Sequence, residues 1–209
     1  MNNKIHKIEH SLVKHSLSVL RDKTTKTEMF RRHTATVSQI ILADVLKNIA
    51  TKEISVETQL GVAKGHKVQE KIVIVPVLRA GLSMLFPARD FLPWAAVGFI
   101  GLERDENTAI AREYYQNLPK DLGNKYTLIL DPMLATGGSL VDTITAVKSK
   151  QAKSISAVCI VGAPEGIKRL QTEHPDVNLY ITAIDSHLDE NKFIVPGLGD
   201  FGDRYFGTE

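Results

Sequence analysis

Residues 128–139 run Leu128-Ile-Leu-Asp-Pro-Met-Leu-Ala-Thr-Gly-Gly-Ser139. An apolar run without alternating polar positions is typical of a strand that is covered on both faces. Beyond the two glycines, residues 140–150 have the pattern of a helix. A strand that leads through a short turn into a helix is the repeating unit of a parallel sheet, so this stretch predicts an α/β fold.

Further apolar runs of the same kind support this fold. They lie at residues 72–75, 155–161 and 177–184, and a helical pattern follows the second of them at residues 166–173. Strands of this kind belong to a mostly parallel sheet that is flanked by helices. In such folds the ligand crevice lies at the carboxyl ends of the strands.

The N-terminal part of the chain predicts helices. Apolar residues follow helical spacing loosely from Ile5 to Leu20 and closely from Phe30 to Ile49. Residues 25–28, Thr-Lys-Thr-Glu, fit the capping box that opens a helix. Two helices are therefore expected within residues 1–50.

Two other segments lie outside the strand and helix rhythm. Residues 53–57 alternate between polar and apolar, and with residues 67–68 they predict a hairpin that turns at residues 61–65. Residues 99–118 hold a charged run and two tyrosines. They predict either a long hairpin or a mobile loop.

The composition limits the classes of function. A chain of 209 residues, 43% hydrophobic and 24% charged, is expected to form one globular domain. Its 26 basic and 24 acidic residues leave a net charge of +2, which gives no support to a nucleic-acid partner. One cysteine, Cys159 in an apolar run, and the lack of a signal peptide or a spanning run predict a cytoplasmic protein without a membrane partner.

The glycine turn that follows the apolar run at residues 128–130 is suited to bind a phosphate. Gly137 and Gly138 expose their amides, Thr136 and Ser139 add hydroxyl groups, and the next helix offers its N-terminal N–H groups. An ordinary Gly-Gly connection capped by Ser139 is the alternative. The pattern is neither a Walker loop nor a dinucleotide fingerprint.

Charged residues, Arg79 and Asp131, follow two of the predicted strands and are expected at the same rim of the sheet. Asp131 can face ribose hydroxyls or a metal that a ligand carries, or it can bind the amides of its own turn. Arg79, in Val75-Pro-Val-Leu-Arg-Ala-Gly81, can hold a phosphate through two parallel hydrogen bonds, or it is a surface arginine in a turn. Arg104 alone indicates only a solvated loop.

The C-terminal tail, residues 193–207, combines four glycines with large apolar groups. Gly197, Gly199 and Gly202 would let the main chain approach a flat polar ligand. Apolar walls would come from the side chains of Ile194, Leu198 and Phe201. A terminal segment that is packed down for stability is the alternative.

Together the three motifs resemble those of the uracil phosphoribosyltransferases. The family patterns Pro-x-Leu-Arg-Ala-Gly, Asp-Pro-Met-Leu-Ala-Thr-Gly-Gly-Ser and Ile-x-Pro-Gly-Leu-Gly-Asp begin here at Pro76, Asp131 and Ile194, in the same order and spacing. The resemblance implies a type I phosphoribosyltransferase-like α/β fold, with a central mostly parallel sheet flanked by helices. It implies a single domain over residues 1–209, with a helical N-terminal part (1–50), an α/β core (71–184) and a C-terminal base-binding hood (185–209).

The resemblance also implies an enzyme of pyrimidine salvage. The phosphoribosyl group of 5-phosphoribosyl 1-diphosphate would pass to N1 of uracil, giving UMP and diphosphate, with Mg²⁺ carried on the diphosphate and not held by the protein alone. GTP as an activator and a homodimer or higher homo-oligomer are further expectations. The alternatives are a phosphoribosyltransferase for another base, and a regulatory protein of the same fold that senses UMP or the donor.

The resemblance assigns roles to individual residues. Catalysis would involve Asp131, Arg79, Arg104 and Asp200. The donor would be bound by Arg79, Arg104, Asp131, Pro132, Met133, Leu134, Ala135, Thr136, Gly137, Gly138, Ser139 and Asp200. Uracil would be bound by Ile194, Gly199, Asp200 and Phe201, through main-chain groups at the first two and at 200–201.

Two residues of the tail depart from the family pattern. The family usually has tyrosine at the position of Phe193 and alanine at the position of Phe201. Phe201 is bulkier beside a main-chain contact, so either its side chain points away from the base or the pocket admits the base differently.

Overall fold

The computed structural model describes residues 4–104 and 111–208, and the side chains of residues 102–104 and 111–114 lie outside that description. The helices are α1 Ser11–Arg21, α2 Thr27–Val45, α3 Leu82–Phe91, α4 Gly138–Ser149, α5 Pro164–Glu173 and α6 Phe201–Phe206. The strands are β1 Ile5–Lys7, β2 Thr51–Thr58, β3 Gly61–Val68, β4 Ile72–Pro76, β5 Ala96–Val97, β6 Phe99–Arg104, β7 Ala111–Asn117, β8 Tyr126–Leu130, β9 Met133–Leu134, β10 Ser154–Gly162, β11 Asn178–Ile184, β12 His187–Leu188 and β13 Ile194–Val195.

The central sheet has the order β1-β11-β10-β8-β4-β5, and β9 adds to the end of β10. Its described pairings are parallel. The prediction of an α/β fold with a mostly parallel sheet is therefore confirmed. Pro76 and Leu130 pair at the carboxyl ends of β4 and β8, so the segments that follow these two strands begin at the same edge of the sheet.

Both faces of the sheet are covered, which explains the unbroken apolar runs. Ile74 and Leu128 point to a core shared with α1, α2, α3 and α6, whereas Val75 and Ile129 point to a core shared with α4 and α5. Successive residues of a strand face opposite sides, so each of them enters one core or the other. Cys159 is fully buried in the second core, and burial raises the pKa of its thiol.

The first predicted helix begins later than expected. Ile5 to Lys7 form β1, which pairs in parallel with β11, so the prediction of a helix from Ile5 is wrong. Residues three apart share a face in a helix and lie on opposite faces of a strand. Ile5 and Ile8 accordingly pack into different cores, and α1 starts only after His10, whose Nδ1 accepts a hydrogen bond from the amide of Leu12.

The second helix lacks the predicted capping box. It begins at Thr27 with Lys26 at the N-cap position. The hydroxyl group of Thr25 donates to the carbonyl oxygen of Val19 at 2.7 Å, and Glu28 pairs with Arg32 one turn later. Thr25 therefore closes the connection between α1 and α2 instead of capping α2.

The two predicted hairpins are present. Strands β2 and β3 pair throughout, but the chain turns between Thr58 and Gly61, and residues 61–65 belong to β3. Strands β6 and β7 pair antiparallel from Phe99 with Asn117 to Arg104 with Ala111, as in the first of the two predicted alternatives, a long hairpin. Residues 105–110 lie outside the described residues.

The two ends of the chain pack together beside the sheet. The ring of Phe201 in α6 meets the ring of Phe30 in α2 edge to face, with centroids 5.0 Å apart. In the described ranges 4–104 and 111–208, no helix has the length and apolar character needed to cross a membrane.

Candidate active site

The turn after β4 and the loop after β8 are joined by a main-chain hydrogen bond. The amide of Val77 donates to the carbonyl oxygen of Leu130 at 2.8 Å. A Cβ atom on Gly81 would lie 2.4 Å from that same oxygen, so the approach requires glycine. The turn that carries Arg79 therefore packs against the residue that precedes Asp131, as the common strand edge predicts.

Arg79 lies on the rim of this edge. Its Nη2 is 3.0 Å from Oδ1 of Asp203, its guanidinium group stands 5.5 Å from the centre of the Phe206 ring, and its side chain is 58% exposed. An exposed ion pair is weak because water screens both charges. The guanidinium group can exchange Asp203 for a phosphate at little cost.

Asp131 is a buried acid at the end of β8. The residue is 8% exposed, and burial raises its pKa to about 7, while a 3.5 Å hydrogen bond from the amide of Met133 opposes that rise. One long hydrogen bond thus supports the predicted alternative, in which the amides of its own turn hold the acid. A ribose hydroxyl or a cation would stabilise the ionised carboxylate.

The loop from Asp131 to Ser139 is held by the neighbouring strand and by α5. The amides of Ile160 and Val161 donate to the carbonyl oxygen of Pro132. A Cβ atom on Gly166, in the first turn of α5, would lie 2.3 Å from the carbonyl oxygen of Ala135. Pro132 and Leu134 are buried, so these two residues can offer a ligand only their main chain.

The glycines of this loop begin α4. Gly137 is the N-cap residue, with a φ of +79° that favours glycine, and Gly138 is the first residue of the helix. Thr136 and Ser139 are exposed on either side of the two glycines. Because the first amides of a helix have no partners inside it, this arrangement can bind an anion. The alternative interpretation, an ordinary Gly-Gly connection, required Ser139 as the cap of the helix, but the N-cap residue is Gly137.

The apolar side chains of the tail pack into the first core. Ile194, Leu198 and Phe201 are 6%, 3% and 2% exposed. This packing agrees with the alternative interpretation, a terminal segment that is packed down for stability, and the role of these side chains as walls of a ligand site stays a prediction. The ring of Phe201 packs against the ring of Phe30, whereas Gly199 is exposed and Phe193 is 49% exposed.

The polar part of the tail meets Arg79. A Cβ atom on Gly202 would lie 3.3 Å from Oδ1 of Asp200 and 3.5 Å from Nη2 of Arg79. Asp200 is exposed and caps α6, since its Oδ1 accepts a hydrogen bond from the amide of Asp203 at 2.9 Å. Two of the predicted catalytic residues, Arg79 and Asp200, are thus brought to one place.

The structure does not describe the side chain of one predicted residue, Arg104. The sequence motifs also did not indicate the contacts of two further residues, Asp203 and Gly166. Arg104 ends β6, and its side chain lies outside the description. The contact of Arg79 with Asp203 joins residues 124 positions apart, which no local spacing reveals. Gly166 follows Ala163, Pro164 and Glu165, and this short pattern was the available signal for its close approach to the loop.

The chain matches the model of the family described as uracil phosphoribosyltransferase over residues 7–208. It is 48% identical over 203 residues to the uracil phosphoribosyltransferase of Dictyoglomus turgidum, covering 97% of this chain and 98% of that protein. It is 44% identical to the uracil phosphoribosyltransferase of Clostridium botulinum, over 99% of this chain and 100% of that protein.

Solved structures agree with this match. The AQ2163 protein of Aquifex aeolicus superposes with a TM-score of 0.90 at 36% identity, covering 98% of this chain and 99% of that one. The hypoxanthine phosphoribosyltransferase of Trypanosoma cruzi superposes with a TM-score of 0.51 at 15% identity, covering 76% of each chain. The second likeness concerns the fold alone, which is that of the type I phosphoribosyltransferases.

Proposed function

The chain belongs to the uracil phosphoribosyltransferase family, and we propose that the crevice at the carboxyl ends of β4 and β8 is where it performs its reaction. It transfers the phosphoribosyl group of 5-phosphoribosyl 1-diphosphate to uracil, which yields UMP and diphosphate. One observation carries the proposed site: the arginine turn lies against both the phosphate loop, through the bond from Val77 to Leu130, and the tail, at Gly202.

The donor binds along the loop from Asp131 to Ser139 in this proposal. The 5′-phosphate lies against residues 135–139, where two glycine amides, two exposed hydroxyl groups and the start of α4 converge. The carboxyl group of Asp131 then faces the ribose hydroxyls. Binding favours its ionised form, because a carboxylate accepts hydrogen bonds from both hydroxyl groups.

Arg79 stabilises the leaving group. As the bond from the anomeric carbon to the diphosphate breaks, the diphosphate gains negative charge and the sugar becomes cation-like. Arg79 turns from Asp203 to the diphosphate, and Arg104 joins it from the hairpin β6–β7. In other enzymes one donor aimed at such a charge lowers the activation barrier by about 3–4 kcal/mol.

Magnesium fits this site as an ion that is bound to the diphosphate of the donor. Across the described part of the chain, no three His, Cys, Asp or Glu side chains gather as a group that could hold a metal ion. Asp131 and Asp200 are two carboxylates at the proposed crevice. When bound, magnesium supplies positive charge to the diphosphate oxygens. Asp131 and Asp200 would orient the complex.

Uracil binds to the main chain of the tail. Gly199 and Asp200 are exposed, and Gly199 has a φ of +81° that presents its peptide groups without a side chain in the way. Ile194 and Phe201 contribute main-chain groups, since their side chains are held in the core. A uracil edge alternates acceptors and donors, which peptide groups of a fixed segment can match.

Two further proposals concern regulation and assembly. A homodimer or higher homo-oligomer is supported by exposed apolar side chains on the hairpin β2–β3, where Leu60 is 100% and Val62 is 74% exposed. Analytical ultracentrifugation tests it. Activation by GTP follows from the family alone, and a titration of the initial rate with GTP tests it.

One assay separates this activity from its alternatives. The protein is incubated with the donor, magnesium and each free base in turn, and the release of diphosphate is measured. Release with uracil and with no other base is expected. Release with another base instead indicates a phosphoribosyltransferase of different selectivity, and no release together with binding of UMP or the donor indicates a sensing protein.

A further inference from the structure

An ion pair outside the sequence motifs joins the helical N-terminus to the tail. Arg21 is the last residue of α1, and Asp185 follows the last residue of β11. Nη2 of Arg21 donates to Oδ1 of Asp185 at 2.6 Å, and Nη1 donates to Oδ2 at 2.8 Å. Two parallel hydrogen bonds fix the direction of both side chains, which a single contact does not.

The same two side chains bind both polar groups of one peptide residue in the tail. Nη1 of Arg21 donates to the carbonyl oxygen of Gly197 at 2.7 Å, and the amide of Gly197 donates to Oδ2 of Asp185 at 2.9 Å. Gly197 has a φ of +58°, and a Cβ atom there would lie 2.1 Å from the carbonyl oxygen of Ile194. The ion pair therefore holds a tight turn in one geometry.

The pair is anchored to the rigid part of the molecule. The side chain of Asp185 is 6% exposed and that of Arg21 is 27% exposed. The amide of Asp185 donates to the carbonyl oxygen of Gly162 at the end of β10. A carboxylate this deeply buried requires its partner, so the geometry of the turn is tied to the end of the sheet.

A second arginine makes the reciprocal connection. Arg204 in the tail donates to the carbonyl oxygens of Leu20 and Asp22, on either side of Arg21, and to that of Leu198. Its guanidinium group stands 4.5 Å from the centre of the Phe30 ring. The N-terminal helices and the tail thus hold each other through main-chain acceptors.

We propose that Arg21 and Asp185 are positioning residues for the pyrimidine, because they set the main chain of residues 194–201 on which the base is read. The inference rests on the proposed function, in which that main chain contacts uracil. The hydrogen bonds described for these two side chains join them to each other and to Gly197, so a change in either side chain is expected to affect the base more than the donor.

The variants Arg21→Lys and Asp185→Asn test this role. Lysine keeps the charge but cannot bind two carboxylate oxygens and a carbonyl in one plane, and asparagine places an amide where Arg21 or Gly197 donates. The KM for uracil is expected to rise roughly 10- to 100-fold, as a small misplacement of a binding group can cause. The KM for the donor is expected to stay near its wild-type value.

The matched control is Arg32→Lys, since Arg32 forms an exposed ion pair with Glu28 on α2 and should leave both KM values unchanged. Thermal unfolding identifies variants that fail to fold. If Arg21→Lys fails to fold, the KM values of Asp185→Asn test the inference. Unchanged KM values, or equal rises in both, would overturn the inference.

A third variant separates this inference from the proposed function. Gly199→Ala alters the tail directly, because Gly199 has a positive φ and a Cβ atom would lie 3.4 Å from Cδ of Arg204. If it leaves the KM for uracil unchanged, the tail is not the base site and the proposed site fails. If it raises that KM while Arg21→Lys and Asp185→Asn do not, only the positioning role fails.

Discussion

At the scale of single residues, Asp131 combines two opposing demands. Burial favours its protonated form, whereas the proposed contact with ribose hydroxyls favours its carboxylate. Because it lies at the end of a buried strand, the fold supplies this burial whether or not the donor is bound. The residue therefore links the stability of the protein to its function.

The first prediction concerns the pH dependence of Asp131→Asn. The folded pKa of about 7 lies above the ordinary 3.8, so the stability contributed by the protonated acid is complete below pH 3.8 and is lost as the pH rises through about 7. Asparagine does not ionise. Between pH 5 and pH 8, the free energy of unfolding should move in favour of the variant by about 2–3 kcal/mol. Urea denaturation at the two pH values measures it.

The same variant should lose activity. Turnover at pH 8 should fall strongly, because asparagine offers the ribose one acceptor oxygen and no charge. The exposed Asp90→Asn, on α3, is the control for both measurements. A difference in stability that does not vary with pH would contradict the buried acid, and full activity would remove Asp131 from the site.

The second prediction concerns Arg79→Ala. The value of kcat should fall roughly 100- to 1,000-fold, the usual loss when one donor to a developing charge is removed. The free energy of unfolding should change by about 1 kcal/mol or less, because the ion pair with Asp203 is exposed. Steady-state kinetics and urea denaturation check both values. The control, Arg89→Ala, removes an exposed arginine from the following helix, and equal losses in the two variants would contradict the role of Arg79.

At the scale of secondary structure elements, the shape of the donor loop depends on the close contact between the N-terminal ends of α4 and α5. Gly137 precedes α4 and Gly166 lies in the first turn of α5. A Cβ atom on either one would press on main-chain atoms of the other segment. The shape of the loop is therefore set by the contact between the starts of two helices and not by the loop sequence alone.

The third prediction concerns Gly166→Ala. The new methyl group would lie 2.3 Å from the carbonyl oxygen of Ala135, so the loop must shift. The free energy of unfolding should fall by about 1–3 kcal/mol, as with other overpacked sites, and the KM for the donor should rise while that for uracil does not. Kinetics with each substrate varied in turn tests this. Gly123→Ala is the control, since its Cβ atom would lie 3.4 Å from the nearest atom. A wild-type KM for the donor in Gly166→Ala would contradict the role of this loop in binding the donor.

At the scale of the whole molecule, the chain closes on itself. Helices α1 and α2 form one wall of the first core, and the tail, which follows β11 beside the N-terminal strand β1, packs on them. The base site in our proposal is thus assembled from the last residues of the chain on a support made from the first. A ligand that bridges the tail and the donor loop should stabilise the folded protein against unfolding.

The fourth prediction concerns stabilisation by UMP. At about 100 times its dissociation constant, a ligand that binds only the folded protein contributes about 2.7 kcal/mol. For a domain of this size that raises Tm by roughly 5–10 °C. Differential scanning fluorimetry with UMP, and with CMP at the same concentration as a control, measures the effect. An equal shift with CMP would show that the tail does not read the base edge.

Local patterns in the sequence determined the elements of the core and much of the donor site. Strands β4, β8, β10 and β11 are apolar on both faces, and that property is visible in a few consecutive residues. The acid, the hydroxyl groups and the glycines of residues 131–139 are likewise adjacent, so their chemistry could be inferred before the fold was known. The common strand edge then predicted that Arg79 and Asp131 lie near each other.

Only the tertiary structure decided which way the tail faces and what holds it. Spacing shows that Ile194, Leu198 and Phe201 are apolar, but whether they line a pocket or fill a core depends on α1 and α2, which lie more than 100 positions earlier. The assignment of residues 5–7 to a strand depended equally on β11. Such contacts are set by packing between distant segments, and the energy of that packing is absent from any short stretch of sequence.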